Sequence, residues 1–123
     1  MKKYIVVVCL MLAIIFISGC AGIGAKVTPV NNPDDSQAQA MLKEAVSTAI
    51  KYGDEHTNWD TMNAATMKKA MPDYTFVDGN EPGVGQISVS GSADYFTLKI
   101  KSKGGTTFVA FCNTNNVVDY SQY

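Results

Sequence analysis

The chain contains no arginine, and only one histidine and one tryptophan occur among its 123 residues. Proteins that bind nucleic acids hold phosphates and read base edges largely with arginine on a net basic surface. Here ten lysines stand against eleven acidic residues, and the formal net charge is −1. This composition argues against nucleic acid as a partner.

No apolar run reaches the roughly 20 residues that a transmembrane helix needs. The longest run, Tyr4 to Ile17, follows two lysines and leads through Ser18 and Gly19 to Cys20, an order typical of a signal peptide. The final four residues fit the bacterial lipobox. We therefore expect residues 1–19 to be a lipoprotein-type signal peptide and Cys20 to be lipidated, which places the exported chain in the outer membrane or periplasm. Cleavage by a general signal peptidase among residues 21–25 is the alternative.

Cysteine is scarce, with three residues in the whole chain. Cys9 would leave with the signal peptide and Cys20 would carry lipid, so Cys112 would stand alone in the mature chain. An unpaired cysteine in an exported protein is either buried or bonded to another molecule. Cys112 ends an apolar run, and we expect it to be buried.

Signatures of catalysis are also missing: the chain has no CxxCH haem motif, no phosphate-binding glycine loop and no Gly-x-Ser-x-Gly elbow. His56 lies near several carboxylates, but all of them belong to one polar connector, whereas a metal site draws ligands from several elements. We predict a solvated loop there, no metal site, no cofactor and no enzymatic activity.

The remaining sequence divides into a tether and one small domain. Residues 20–35 are small, polar or proline-bearing, which predicts a flexible tether, and residues 36–123 are long enough for one globular domain. From Ser36 apolar residues recur every three or four positions, which predicts a helix of roughly 17 residues that ends at Gly53. A shorter helical stretch is predicted from Trp59 to Met71.

Beyond Gly85 the apolar period changes to two, which predicts strands. Phe96, Leu98 and Ile100 alternate with polar residues, as in a strand with one buried face. The predicted fold is α+β, with an N-terminal amphipathic helix packed on a three- to four-stranded antiparallel sheet.

The strand that contains Val109 and Phe111 is apolar on both faces, because Phe108, Ala110 and Cys112 alternate with these two residues. Two interpretations remain open. The C-terminal tail folds back over the second face, or this face is a docking surface for another protein.

The order of these segments resembles the globular part of type IV pilins and pseudopilins. The resemblance covers roughly residues 36–120 and includes a connector with Trp59, a short helix closed by Met71-Pro72, the stretch Tyr74-Thr75-Phe76-Val77 and an antiparallel meander. The chain lacks the prepilin cleavage site and the long hydrophobic helix of that family. It is most similar to the C-terminal chain of a split pilin, the geopilin domain 2 type.

This resemblance implies a structural subunit that forms the globular outer layer of a type IV pilus or pseudopilus. A separate short pilin would supply the hydrophobic helix, and the pilus or type II secretion machinery would assemble both chains. The partner would bind in an apolar groove or add a strand to a sheet edge, and we favour the groove. The candidate contact residues are Val109 and Phe111 on the strand and Met41, Val46 and Ile50 on the helix.

Two other functions remain open at this point. The chain could be a lipid-anchored periplasmic accessory protein or chaperone that stabilises the short pilin without entering the filament, held at the membrane through Cys20. It could also be an envelope lipoprotein unrelated to pili.

Overall fold

A computed structural model describes residues 27–123 of the chain. The predicted signal peptide and Cys20 lie outside these residues. Two helices precede five strands, which confirms the predicted α+β class. The helices are α1 (Asp35–His56) and α2 (Ala64–Ala70), and the strands are β1 (Phe76–Asp78), β2 (Ile87–Gly91), β3 (Tyr95–Lys101), β4 (Thr107–Asn113) and β5 (Val118–Gln122).

Helix α1 begins at a capping box. The Asp34 carboxylate accepts a hydrogen bond from the backbone N–H of Gln37 at 2.7 Å, and the side-chain oxygen of Gln37 accepts one from the backbone N–H of Asp34 at 2.9 Å. Two N–H groups that the helix itself cannot pair are thereby hydrogen-bonded. The predicted three-and-four spacing forms one buried stripe along the helix. Its members are Ala38, Met41, Leu42, Ala45, Val46, Ala49 and Gly53.

The predicted end of this helix at Gly53 is wrong, because α1 continues to His56 and is 22 residues long. Gly53 is buried inside the helix, and the Trp59 indole lies so close that a Cβ atom at position 53 would overlap it. The indole Nε1 donates a hydrogen bond to the Ala49 carbonyl at 2.8 Å. Glycine is needed here for close packing, and the helix ends at His56, followed by the cap residue Thr57, whose φ is 75°.

Helix α2 is shorter than the predicted stretch from Trp59 to Met71. Asn63 caps it, since its side chain accepts a hydrogen bond from the Thr66 amide at 2.9 Å and Thr66 Oγ1 accepts one from the Asn63 amide at 2.9 Å. The residues before this cap form a turn in which the Met62 amide donates to the Trp59 carbonyl. Asn63 therefore sets the start of the helix.

The sheet contains five strands in the order β1-β2-β3-β4-β5, where the sequence predicted three or four. It is mixed, because β1 is parallel to β2 while the other pairs are antiparallel. The prediction missed β1, which has only three residues. So short a segment has no visible period of its own, and its pairing with β2 is a long-range contact.

Helix α1 contacts the central strand β3 and its neighbour β4. We call the sheet face that α1 covers the inner face and the opposite face the outer face. Phe96, Leu98 and Ile100 of β3 are fully buried and alternate with more exposed residues, as predicted. Cys112 of β4 is also fully buried, which confirms the expected burial of the lone cysteine.

Residues 27–33 run across one end of the sheet, and we call this segment the strap. We call that end the lower end, where β1, β2 and β4 begin. Tyr74 Oη donates to the Val27 carbonyl at 3.0 Å before β1, and the Lys103 amide donates to the Pro33 carbonyl at 2.7 Å in the β3–β4 turn. Between these points the Asn31 carbonyl lies against Gly85. The described part of the predicted tether (residues 20–35) is thus attached to the domain, whereas residues 20–26 lie outside the described residues.

Candidate docking surface

An apolar patch lies on the outer face of the two neighbouring strands β3 and β4. Because Phe108, Ala110 and Cys112 are buried on the inner face, the intervening residues Val109 and Phe111 lie on the outer face. Tyr95 begins β3 on the same face, and its ring centroid is 5.2 Å from that of Phe111. Tyr95 is 43% exposed and Phe111 36% exposed. We call Tyr95, Val109 and Phe111 the outer patch.

The C-terminal tail does not fold back over this patch, so the first of the two interpretations of the two-faced strand is wrong. The tail forms β5 and extends the sheet beside β4, where Asp119 lies opposite Phe111 and Ser121 opposite Val109. Backbone pairing places the tail in the plane of the sheet, because the N–H and C=O groups of every second residue of β5 bond to β4. Phe111 therefore remains exposed.

Polar groups border the outer patch toward the lower end of the sheet. Lys99 pairs with Val109 across β3 and β4, and its ammonium donates to Tyr123 Oη at 3.3 Å while lying 5.5 Å from the centroid of that ring. Tyr123 is 69% exposed. The patch is therefore an apolar centre with a polar rim, which is the usual composition of a protein interface.

The five predicted contact residues do not form one surface. Met41 and Val46 belong to the buried stripe of α1 and are 1% and 3% exposed, and Ile50 is half-buried against the same core. Their apolar spacing made them candidates, but that spacing also fits a helix face that packs on its own sheet. Met41 and Val46 are therefore core residues, and of the predicted set Val109 and Phe111 remain at the outer patch.

A groove of about 280 Å³ lies on the inner side between α1 and the edge strand β5. Leu42 and Phe108 contribute apolar surface to it, and Tyr120 and Lys43 stand beside each other, with the Lys43 ammonium 5.9 Å from the ring centroid. Burial raises the pKa of the Tyr120 phenol, and the nearby Cys112 thiol adds to this rise. The periodicity of the sequence contained no signal for this groove, because it depends on where β5 pairs.

A second groove, of about 310 Å³, lies beneath the start of the strap and includes Val27, Glu44, Met71 and Tyr74 in its lining. Burial, followed by the negative charge of Glu44, raises the pKa of Tyr74 to about 12. The phenol therefore stays protonated at neutral pH and keeps its hydrogen bond to the Val27 carbonyl.

His56 lies in the last turn of α1 and not in a loop, so that part of the prediction is wrong. Its ring stacks on Tyr52 with centroids 3.9 Å apart, and Nδ1 lies 3.0 Å from the Tyr52 carbonyl. Within residues 27–123 no three histidine, cysteine or carboxylate side chains come together as possible metal ligands. Over the same residues, neither helix has the length and apolarity to cross a membrane.

Comparison with known proteins gives no relative from which function could be transferred. No protein-family model, no curated protein and no solved structure matches this chain.

Proposed function

We propose that the chain is an exported structural subunit that forms the globular outer layer of a type IV pilus or pseudopilus, together with a short pilin that supplies the hydrophobic helix. The outer patch is the surface to which that helix docks. The observation that supports this role most directly is the exposed pair Tyr95 and Phe111, which lies on the sheet face that neither α1 nor the C-terminal tail covers.

On the inner face α1 already lies on β3 and β4, so a second helix cannot lie on these two strands there. A partner helix must therefore use the outer face or a sheet edge. An α-helix is about 10 Å wide with its side chains, and neighbouring strands lie about 4.8 Å apart, so one helix covers two to three strands. The outer patch spans β3 and β4 and matches this width.

The chemistry of the patch suits a helix with a mainly apolar face and a polar border. Aromatic side chains such as Tyr95 and Phe111 are enriched at the energetic centre of interfaces because they bury a large area with few rotatable bonds. Lys99 at the rim can fix the orientation of the partner through a carboxylate or a helix C-terminus.

The test combines Tyr95→Ser with Phe111→Ser in the full-length chain and measures co-purification of the short pilin from the native cells. We expect the double variant to lose the short pilin, because the apolar contact area disappears while both positions tolerate a polar side chain at the surface. Val117→Ser is the matched control, since Val117 is 53% exposed but lies in the β4–β5 turn, outside the patch. Retention of the short pilin by the folded double variant would refute the proposal.

The lipid-anchored accessory protein is the second candidate, and the strap is the observation that favours it. Only residues 21–26 separate Cys20 from Val27, the first residue of the strap, a distance of at most about 24 Å at 3.4 Å per residue. A lipid on Cys20 would hold the domain close to a membrane. Purified filaments decide between the candidates: a stoichiometric amount of this chain supports the structural subunit, and its absence from filaments supports the accessory protein.

A further inference from the structure

We propose that β5 pairs with β5 of a second copy of this chain, antiparallel and about a two-fold axis at Tyr120, so that two sheets become one. This edge is distinct from the outer patch. The inference goes beyond the proposed function and does not depend on the short pilin.

The pairing with β4 shows which backbone groups of β5 are free. Thr107 and Tyr123 exchange both of their hydrogen bonds, at 2.8 and 3.0 Å. In an antiparallel pair every second residue does the same, so Ser121 and Asp119 direct their N–H and C=O groups toward β4. The backbone N–H and C=O groups of Val118, Tyr120 and Gln122 therefore point away from β4, toward the open edge of the sheet. Among the described strands, no other strand pairs with that edge.

Within residues 27–123, this edge lacks the usual protection against a further strand. Natural proteins block sheet edges with lysine, proline, bulges or a covering element. The five residues of β5 include no lysine and no proline, and their one charge, on Asp119, lies on the outer face with Phe111. Three donors and three acceptors are thus available to a partner strand.

The sequence of β5 fits its own copy in one register. When Tyr120 lies opposite Tyr120 of the second copy, Val118 lies opposite Gln122, and all six free backbone groups of each strand are paired. Asp119 then lies opposite Ser121. If the register shifts by two residues in one direction, the two Asp119 carboxylates lie directly opposite each other, which is unfavourable. A shift in the other direction leaves Val118 without a partner among the described residues.

The groove between α1 and β5 adds apolar contact to this backbone pairing. Side chains of Val118, Tyr120 and Gln122 lie on the inner side, because their β4 partners there are inner-face residues. In the proposed register the two Tyr120 rings lie side by side at the groove, where Leu42 and Phe108 are already apolar neighbours. Tyr120 is 50% exposed in the single chain, so pairing would remove apolar ring surface from water.

A two-fold interface uses the same surface on both copies and closes on itself. The pair therefore does not propagate along a polar filament. It is a state of chains outside the filament, and assembly of a filament would require the two copies to separate or to use other surfaces.

Disulfide trapping in native cells tests the register with the full-length chain. In the proposed pair the Cα atoms of the two Tyr120 residues lie about 5.5 Å apart, within the range that a disulfide spans. We expect Tyr120→Cys to form a covalent dimer on mild oxidation. Val118→Cys alone should form none, because the two Val118 positions would be about 14 Å apart along the strands at 3.4 Å per residue.

Co-expression of a Val118→Cys chain with a Gln122→Cys chain should restore the cross-link, since these positions lie opposite each other. The native Cys112 is buried and contributes no background. Failure of Tyr120→Cys to cross-link, or equal cross-linking by Val118→Cys alone, would overturn the proposal.

A proline–alanine comparison at Tyr120 isolates the backbone contribution. Tyr120→Ala removes the ring but keeps the outward N–H, whereas Tyr120→Pro removes the N–H as well and leaves the bonds to β4 intact. We expect the mass of the detergent-extracted chain to show dimers for the alanine variant and monomers for the proline variant. A dimeric proline variant would contradict strand pairing.

Discussion

At the scale of single residues, Gly53 and Trp59 control how α1 meets the rest of the domain. Glycine inside a helix ordinarily costs about 1 kcal/mol relative to alanine, so Gly53→Ala would stabilise an isolated helix. In this domain the added Cβ overlaps the indole and displaces the hydrogen bond from Trp59 to the Ala49 carbonyl. The steric overlap destabilises the domain by more than the higher helix propensity of alanine stabilises it.

We predict that Gly53→Ala lowers the free energy of unfolding by about 1 to 3 kcal/mol, as expected for overpacking with loss of one hydrogen bond. Urea unfolding followed by the fluorescence of Trp59, the only tryptophan, measures this change. Gly104→Ala is the control, since its Cβ would lie 3.8 Å from Ser102 Oγ, an ordinary contact. A stabilised Gly53→Ala variant would show that the indole does not pack as described.

Because of Tyr74, we expect the free energy of unfolding of the domain to fall as the pH becomes alkaline. The pKa of the Tyr74 phenol is raised from the ordinary value of about 10 to about 12 in the folded chain, so folding favours the protonated phenol. This contribution is fully present below pH 10 and is lost as the pH rises toward 12. The unfolded chain releases the proton first, and stability falls across this window.

We predict that Tyr74→Phe is about 1 kcal/mol less stable than the parent chain at pH 7, because the hydrogen bond to the Val27 carbonyl is lost. The difference should shrink between pH 10 and 12, since phenylalanine has no proton to release. Urea unfolding at pH 7, 10 and 11.5 tests both statements. If the difference in free energy of unfolding between the two chains stayed constant across that range, a group other than Tyr74 would cause the loss of stability at alkaline pH.

At the scale of elements, the strap depends on glycine at one turn position just before β2. Gly85 has φ +74°, and its missing Cβ leaves room for the Asn31 carbonyl. Gly79 also has a positive φ, of +100°, but nothing lies within 4 Å of its Cβ position. The two glycines therefore share the backbone requirement and differ in the contact with the strap.

We predict that Gly85→Ala destabilises the domain by about 1 to 3 kcal/mol more than Gly79→Ala, because only the former adds steric overlap to backbone strain. Hydrogen exchange should show faster exchange at the Lys103 amide, which donates to Pro33 of the strap, in the Gly85 variant alone. Equal effects of the two substitutions would mean that the strap contact contributes nothing.

The sequence predicted those elements that carry their own period. The apolar stripe of α1 and the alternation of β3 are visible without tertiary contacts, and both were found where predicted. The predicted helix end at Gly53 was wrong, because glycine occurs there to make room for the Trp59 indole and not to end the helix. β1 and the position of the tail were missed because pairing with a neighbouring strand determines both, and the residue pattern within each segment does not specify that pairing.

At the scale of the whole molecule, Cys112 reports on global unfolding. It is fully buried between sheet and helix, and burial raises the pKa of its thiol. We predict that a thiol reagent modifies Cys112 at least about 1,000-fold more slowly in the folded chain than in urea at neutral pH, as for a domain of ordinary stability. Mass analysis of the Cys112 peptide measures the rate. Fast modification in the folded chain would reveal local opening of β4.

The candidate docking surface was predictable only in part for a reason that concerns the whole molecule. The two apolar faces of β4 indicated that one face packs in the core and that the other is available for contact with another chain. Val109 and Phe111 lie on this second face. The helix residues Met41 and Val46 could not be separated from the core without knowledge of which face α1 turns toward the sheet. Tyr95 lies beside Phe111 because of the register between β3 and β4, which sequence spacing does not specify.

The strap also determines how the domain responds to mechanical load. It crosses the lower end of the sheet and is held at separate points, Val27, Asn31 and Pro33. Tension on the N-terminus would therefore break these contacts one after another, as in peeling, and not together as in shearing. About 24 Å of chain would be released at 3.4 Å per residue before force reaches α1. The core would stay folded while the segment extends, so a pulled subunit would lengthen before it unfolds.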